Sequence, residues 1–354
     1  MRDVVRLILA SCVVLTVGAC GDDDGGGGTP DAPPAVETGD YHEYVLSTLT
    51  LPTQATATTL AFDLDGIAGT ADNKLGSILS LIPGDLQGQI DLAVMEGTIV
   101  LLSAVRADTL TSDDSVSWQV WLGNTPEPPA PPTAGATYTI DPAGPTDAKV
   151  VGGLDSAGTF EGRGGIVSLS LPLVPDAPAL ELTLYGASIR AKVTEAEFLD
   201  TAASDKARLG GALRKKDVDD KLIPAIAALV TSIINDDGSD ADTDPDCVCA
   251  SGTQTCAADS TAAQLAELFE QDPADCTVTT AEVMMSAVYG FLSPDVDLFK
   301  GPGPCTEGDQ TGCDKTGEGM VYAPGQEVDG DGFDSLSLGL GIRGLQAVFA
   351  RPGE

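Results

Sequence analysis

Between residues 41 and 200 apolar and polar positions mostly alternate, and a period of two predicts strands. Segments 44–51, 55–64, 98–105, 115–122, 148–154, 166–174, 180–185 and 188–193 all read this way, each rich in Thr, Val, Leu or Ile. Two stretches break the alternation. In 73–82, Leu75, Ile78, Leu79 and Ile82 repeat at helical spacing, and Pro83-Gly84 stops the run. Residues 87–95 predict a second helix. The proline-rich run 125–132 predicts an extended loop, since proline cannot donate to a strand ladder. Asp176-Ala177-Pro178 predicts a turn between two strands.

Beyond residue 205 the period lengthens. Lys216 and Asp220, like Asp217 and Lys221, stand at i,i+4 spacing, as on a solvated helix face. Leu222, Ile226, Leu229, Val230 and Ile233 form a stripe, and Pro224 suits a first turn, so a helix is expected from about there to 234. Residues 261–270 and 281–292 predict two more helices. Residues 300–332 are Gly-rich and read as loop, and 336–349 reads as a final strand pair. The expected class is α+β. A β-rich part over 41–204, sandwich-like or a mixed sheet with short helices, is followed over 205–354 by a disulfide-bonded helical and loop region.

The N-terminus reads as an address. Arg2 and Arg6 precede an apolar run over 7–17, too short for the roughly 20 residues of a spanning helix. Val17-Gly18-Ala19-Cys20 then resembles the lipobox of bacterial lipoproteins. That resemblance implies a signal peptide over 1–19, cleavage before Cys20, and fatty acyl chains such as palmitate on its thiol. Residues 20–40 hold Asp22-Asp23-Asp24, a run of four consecutive glycines and three prolines, and nothing there can bury a core. A disordered acidic tether is expected, reaching about 25 Å. In the lipoproteins it resembles, an acid directly after the cysteine favours the inner membrane; Gly21 stands there, so the outer membrane is expected, on its periplasmic face or the cell surface.

Composition narrows the partners. Lys+Arg is 18 against 54 Asp+Glu, a net charge of −36 in 354 residues, which excludes a nucleic-acid backbone as a direct partner. His42 is the one histidine, so neither a His-rich metal site nor a Ser-His-Asp triad is expected. The eight cysteines fit export. Cys12 leaves with the signal and Cys20 takes the lipid, leaving Cys247, Cys249, Cys256, Cys276, Cys305 and Cys313. An even number in an oxidising compartment predicts disulfides, with Cys305–Cys313 the first pairing on locality. Zinc is a weaker reading, because this region lacks both Cys-x-x-Cys and histidine.

Asp prefers turns, caps and oxygen cages for hard cations. Three clusters have spacing suited to calcium. Asp63, Asp65, Asp72 and Asn73 follow a strand and open a helix, with Gly66 and Gly69 between them. Asp329, Asp331 and Asp334 alternate with glycines before an apolar run. Against the 12-residue EF-hand loop, 271–282 places Asp275 at position 5, Cys276 where glycine is usual, Val278 at the apolar position 8 and Glu282 at the bidentate position 12. Gln271 and Pro273 replace two of its ligands. Each cluster has a metal-free reading as an Asx-turn or helix cap. Trp121, on the polar face of its strand, is a candidate for stacking on a sugar, against a reading as a covered packing residue.

Several segments resemble uncharacterised Asp-rich predicted lipoproteins of myxobacteria and their relatives. The matching residues are the lipobox and tether over 17–34, Phe62-Asp-Leu-Asp-Gly, Thr70-Ala-Asp-Asn-Lys-Leu-Gly, Gly97-Thr-Ile-Val-Leu-Leu, Ser293-Pro-Asp-Val-Asp-Leu-Phe and Asp334-Ser-Leu-Ser-Leu-Gly-Leu-Gly. The resemblance implies no activity. The expected function is a membrane-anchored envelope protein with structural calcium and a structural or binding role toward a glycan or protein. No residue is assigned to catalysis. The alternative is a secreted glycosidase-type hydrolase using paired carboxylates.

Overall fold

Leucine alternating with small polar residues drives the two longest strands together. The computed structural model describes residues 38–64, 72–79, 86–142, 149–171, 179–199, 207–235, 247–250, 253–257, 260–270, 275–301, 321–325 and 333–351. The elements in chain order are β1 (Asp40–Thr50), α1 (Ala57–Leu60), α2 (Lys74–Leu79), α3 (Leu86–Met95), β2 (Leu101–Ala107), β3 (Asp113–Leu122), β4 (Lys149–Leu154), β5 (Thr159–Leu171), β6 (Leu180–Val193), β7 (Glu197–Leu199) and β8 (Arg208–Arg214). There follow α4 (Lys215–Asp217), a π-helical turn (Val218–Leu222), α5 (Ile223–Ile234), β9 (Cys247–Ala250), β10 (Thr253–Cys256), α6 (Thr261–Phe269), α7 (Thr280–Met285), α8 (Ala287–Phe291), β11 (Asp297–Gly301), β12 (Val321–Gly325) and β13 (Ser335–Gln346).

β1 to β6 form an antiparallel meander. β8 pairs with β6, β13 with β8, and β13 with β1, so the sheet closes on itself as a barrel. The short β7 is wedged between β6 and β13. The β-rich α+β expectation holds. Instead of a sandwich-like or mixed sheet, every ladder of this barrel is antiparallel, and closure removes the open edges. The boundary expected near 204 falls between β7 and β8 of this one sheet, so segments on both sides share a core. One apolar cluster holds Trp118 and Phe160 of the barrel together with Ile90 of α3, Ile226 of α5 and Leu265 of α6.

The barrel is apolar inside and polar outside. Val167, Leu169, Leu182, Leu184 and Ile189 are buried, while Glu161, Arg163, Ser168, Glu181, Arg190 and Lys192 alternate with them toward the outside. A membrane-spanning barrel carries the reverse pattern. Among the described residues no helix is long and apolar enough to cross a membrane. Two satellite clusters cover parts of the outer wall. Phe349, Tyr138 and Trp121 lie over β1–β3, and Phe62, Leu64, Val296 and Leu298 lie over β8.

The two ends of the barrel differ. At one end lie the tight links 108–112 and 155–158, the β6–β7 turn, and the point where the chain enters at Asp40, paired with Ala107. The longer links 51–100, 123–148, 172–179 and 215–334 all leave from the opposite end.

Local departures from the expected elements have physical causes. Segment 55–64 is not a strand. Thr53 and Thr56 close a hydrogen-bonded turn that starts α1, the Thr53 N–H donating to Thr56 Oγ1 at 2.8 Å. The helix expected from Pro224 is α5, with Pro224 in its first turn, and the short α4 and a π-helical turn run into it from Lys215. Proline has no N–H for the ladder, and the π-helical turn before it absorbs the mismatch. The expected i,i+4 pairs form, with Lys221 Nζ 3.2 Å from Asp217 and Lys216 beside Asp220. β6 is one strand instead of two, carrying a bulge where Gly186 takes φ +58°. The region 336–349 is likewise mostly one strand, β13, long enough to reach β8, β7 and β1. Gly97 (φ +71°) ends α3 in a Schellman turn, the Thr98 N–H reaching Ala93 O at 2.9 Å.

Candidate functional site

Three of the Asp- and Ser-containing segments meet at the start of β13, near the barrel end that bears the long links. Asn73 is 5% exposed and bridges α1, α2 and β13. Its Nδ2 donates to Ala57 O and Gly339 O, both at 3.0 Å. Its Oδ1 accepts from Gly76 N at 3.1 Å and Gly339 N at 2.8 Å. The neighbouring Lys74 N–H donates to Ser337 Oγ at 2.8 Å. Ser337 in turn donates through its backbone N–H and its hydroxyl to Asp295, at 2.8 and 2.5 Å. Two residues on, buried Asp297 accepts the Asp334 N–H at 3.2 Å, and Asp334 Oδ1 accepts Leu298 N at 3.1 Å and the Ser335 hydroxyl at 2.6 Å. Burial pushes the Asp295 carboxyl above the ordinary carboxylate range, opposed by the Ser337 hydrogen bonds and the Lys74 charge.

This seam decides how the expected calcium ligands are used. Asn73 cannot serve as one, because both halves of its amide are occupied by backbone groups. Asp72 closes the 62–72 loop: its carboxylate accepts Leu64 N at 2.7 Å while its own N–H donates to Phe62 O at 2.7 Å. The Asp63 carbonyl accepts Arg163 Nη1 at 3.4 Å. Asp334 ties the N-terminus of β13 to β11. Asp65, Asp329 and Asp331 lie outside the described residues.

The EF-like loop keeps a backbone feature of its template and redirects its acids. Cys276 takes φ +64°, the left-handed conformation for which that position normally holds glycine. Asp275 Oδ1 accepts Thr277 N at 3.0 Å, an Asx-turn. Glu282 closes a capping box on α7, its Oε2 accepting the Thr279 N–H at 2.7 Å and hydroxyl at 2.8 Å. Val278 is buried and its N–H donates to Thr231 Oγ1 of α5 at 2.9 Å. Asn235 Nδ2 donates to Cys276 O at 2.8 Å, which docks the loop on the end of α5. Among the described residues, no group of three or more His, Cys, Asp or Glu is arranged to hold a metal ion.

Glu270 was not legible as special. Both its carboxylate oxygens are buried without a hydrogen bond of good geometry. Burial first, then the charges of Asp275 and Glu282, push its carboxyl up from the ordinary range. The only sequence signal is its place directly before the EF-like loop.

The cysteines pair partly as expected. Cys247 and Cys256 face each other across the β9–β10 ladder and form a disulfide, S–S 2.00 Å. Cys276 is also disulfide-bonded. The side chain of Cys249, and Cys305 and Cys313 with their expected pairing, lie outside the described residues, as does Cys20. Trp121 is 3% exposed and packs edge-to-face on Phe349 at 5.8 Å. It is a covered packing residue, so it offers no open face to a sugar. His42, near the start of β1, has its Nδ1 3.1 Å from Glu195 of the β6–β7 turn, at the barrel end where β1 begins. Comparison with protein-family models, curated proteins and solved structures finds no match for this chain.

Proposed function

We propose that this is a lipid-anchored envelope protein whose barrel has a structural or binding role. The anchor rests on the Val17-Gly18-Ala19-Cys20 pattern and the acidic tether behind it. The observation that carries a non-catalytic role is that the described carboxylates of the seam, Asp72, Asp295, Asp297 and Asp334, all accept hydrogen bonds from the fold itself. A glycosidase-type hydrolase needs two carboxylates facing substrate across an open cleft. Calcium belongs to this reading as a structural ion at the Asp329-Gly-Asp331-Gly-Phe-Asp334 segment, where clustered acids before a strand suit a hard cation.

Replacing Cys20 with Ala and fractionating cells tests the anchor; membrane association that persists in the variant refutes it. Melting with calcium, magnesium and chelator tests the ion. Calcium at about 100-fold excess over Kd stabilises by about 2.7 kcal/mol, Asp331→Asn removes the gain and Glu282→Gln keeps it. Equal effects of calcium and magnesium reduce the effect to charge screening.

A further inference from the structure

We propose that Arg163, Arg190 and Ser188 form a binding site for a phosphate group on the outer wall of the barrel. The ladder register makes the site contiguous. Gly162 pairs with Ile189 and Gly165 with Ala187, so Arg163 and Gly164 together oppose Ser188 across the β5–β6 ladder. Gly164, at φ +95°, makes this bulge possible, and a bulge re-aims the side chain beside it. Ala187, Ile189 and Ala191 point into the core, so Ser188 and Arg190 share the outward face of β6. Arg190 pairs with Glu161 on one side and Arg208 on the other, and Ser188 pairs with Gly210 of β8.

Three observations point to an anion. Ser188 is 1% exposed, and its hydroxyl oxygen is buried without a hydrogen-bond partner among the described residues, which leaves a donor unused. The two guanidiniums are weakly engaged. Among the described residues Arg163 reaches only the Asp63 carbonyl, at 3.4 Å, and Arg190 Nε stands 3.9 Å from the Glu161 carboxylate. Arg190 and Arg208, two like charges, stand directly opposite each other, which costs stability unless a negative group lies beside them. Arg208 is held by the Ala61 carbonyl at 2.7 Å and stands over the Phe62 ring, which covers Gly210 next to Ser188.

The donor set selects the group. Each guanidinium is a planar fork that matches two oxygens of an oxyanion. Two forks from neighbouring strands, with a hydroxyl beneath them, approach from three directions. That suits the tetrahedral oxygens of phosphate better than the two oxygens of a carboxylate. Arg163 is exposed and held by one long hydrogen bond, so it can swing aside to admit the group to Ser188. The net charge of −36 opposes an extended polyanion, but charges beyond about 8 Å are screened at physiological salt, and a single phosphate meets mainly these arginines.

Isothermal titration calorimetry on the full-length chain in dodecyl maltoside tests the site, with inorganic phosphate, glucose 6-phosphate and dihexanoyl phosphatidic acid as probes. Saturable binding of at least one probe is expected, and the tightest of the three identifies the source of the group as free ion, sugar or lipid. Arg163→Gln with Arg190→Gln should weaken that binding at least about tenfold, Ser188→Ala should weaken it about threefold or more, and Glu161→Gln should tighten it. Arg343→Gln removes the same charge elsewhere on the barrel, on β13, and should leave the affinity unchanged. Melting curves check that each variant is folded. No saturable binding of any probe at millimolar concentration, an equal loss on Arg343→Gln, or wild-type affinity after Ser188→Ala each overturns the proposal. If the double variant does not fold, Glu161→Gln still decides, since no gain in affinity overturns it too.

Discussion

Replacing Asn73 with alanine removes four hydrogen bonds at once. The side chain is 5% exposed, so the two carbonyls and two N–H groups that it serves lose their partner in a place water reaches poorly. A buried backbone group left unsatisfied costs about 1–3 kcal/mol. Gly339 donates and accepts in the same seam and can re-pair only by moving β13, which is also bonded to β8 and β1. With partial relaxation, the expected loss is about 3–5 kcal/mol. For a body of roughly 300 residues the unfolding entropy is about 0.6 kcal/mol per kelvin, so the melting midpoint should fall by about 5–8 °C. Differential scanning calorimetry in calcium and in chelator measures it. The fall should be the same in both, because Asn73 acts through backbone groups. Asn73→Asp should be at least as damaging at neutral pH, since its carboxylate faces two carbonyls, and should recover partly in acid. A midpoint within 1 °C of wild type refutes the clamp. A fall seen only with calcium present makes Asn73 an ion ligand after all.

Glu270→Gln should stabilise the protein at pH 7–8. A carboxyl held above its ordinary range in the fold is penalised where it is charged, and that penalty fades as pH falls through its folded pKa. The melting advantage of the variant should therefore shrink on acidification; an advantage constant with pH refutes the burial argument. Phe349→Ala uncovers Trp121 and should cost about 3–5 kcal/mol, while oligosaccharides leave the tryptophan emission of the wild type unchanged; quenching by a sugar would restore Trp121 as a ligand residue. Cys247→Ser with Cys256→Ser should cost about 2–4 kcal/mol, and hydrogen exchange should rise first over 247–285, with β2–β6 unaffected. A uniform rise would show that the cystine hairpin and the barrel unfold together.

Much of the barrel was legible as a period. Strands β5 and β6 follow alternation that a reader can count, because one face of each is buried and the other wet, whereas β2 is an apolar run buried on both faces, its outer one under the satellite cluster of Trp121 and Phe349. Reading failed where local hydrogen bonding outweighed propensity, as at Thr53 and Thr56, or where one strand carries a bulge, as at Gly186. The candidate site was legible only as residue types. Asp and Asn next to Gly indicate turns and caps as readily as ion cages, and spacing cannot separate these uses. Asn73 reads as a ligand in sequence and is a clamp in the fold because its four partners come from residues 57, 76 and 339.

The sequence by itself determined the acidic balance, the cysteine-bearing third and the position of most strands, since these depend on composition or on neighbours along the chain. Closure of the sheet was decided only by tertiary structure. β13 must come back after the 215–334 link to join β8 to β1, and nothing local encodes a pairing between residues about 300 positions apart. The same closure places Asp40, where β1 begins, and the long links at opposite ends and buries the acids of the seam. Their role follows from which backbone groups they meet once the ring is shut.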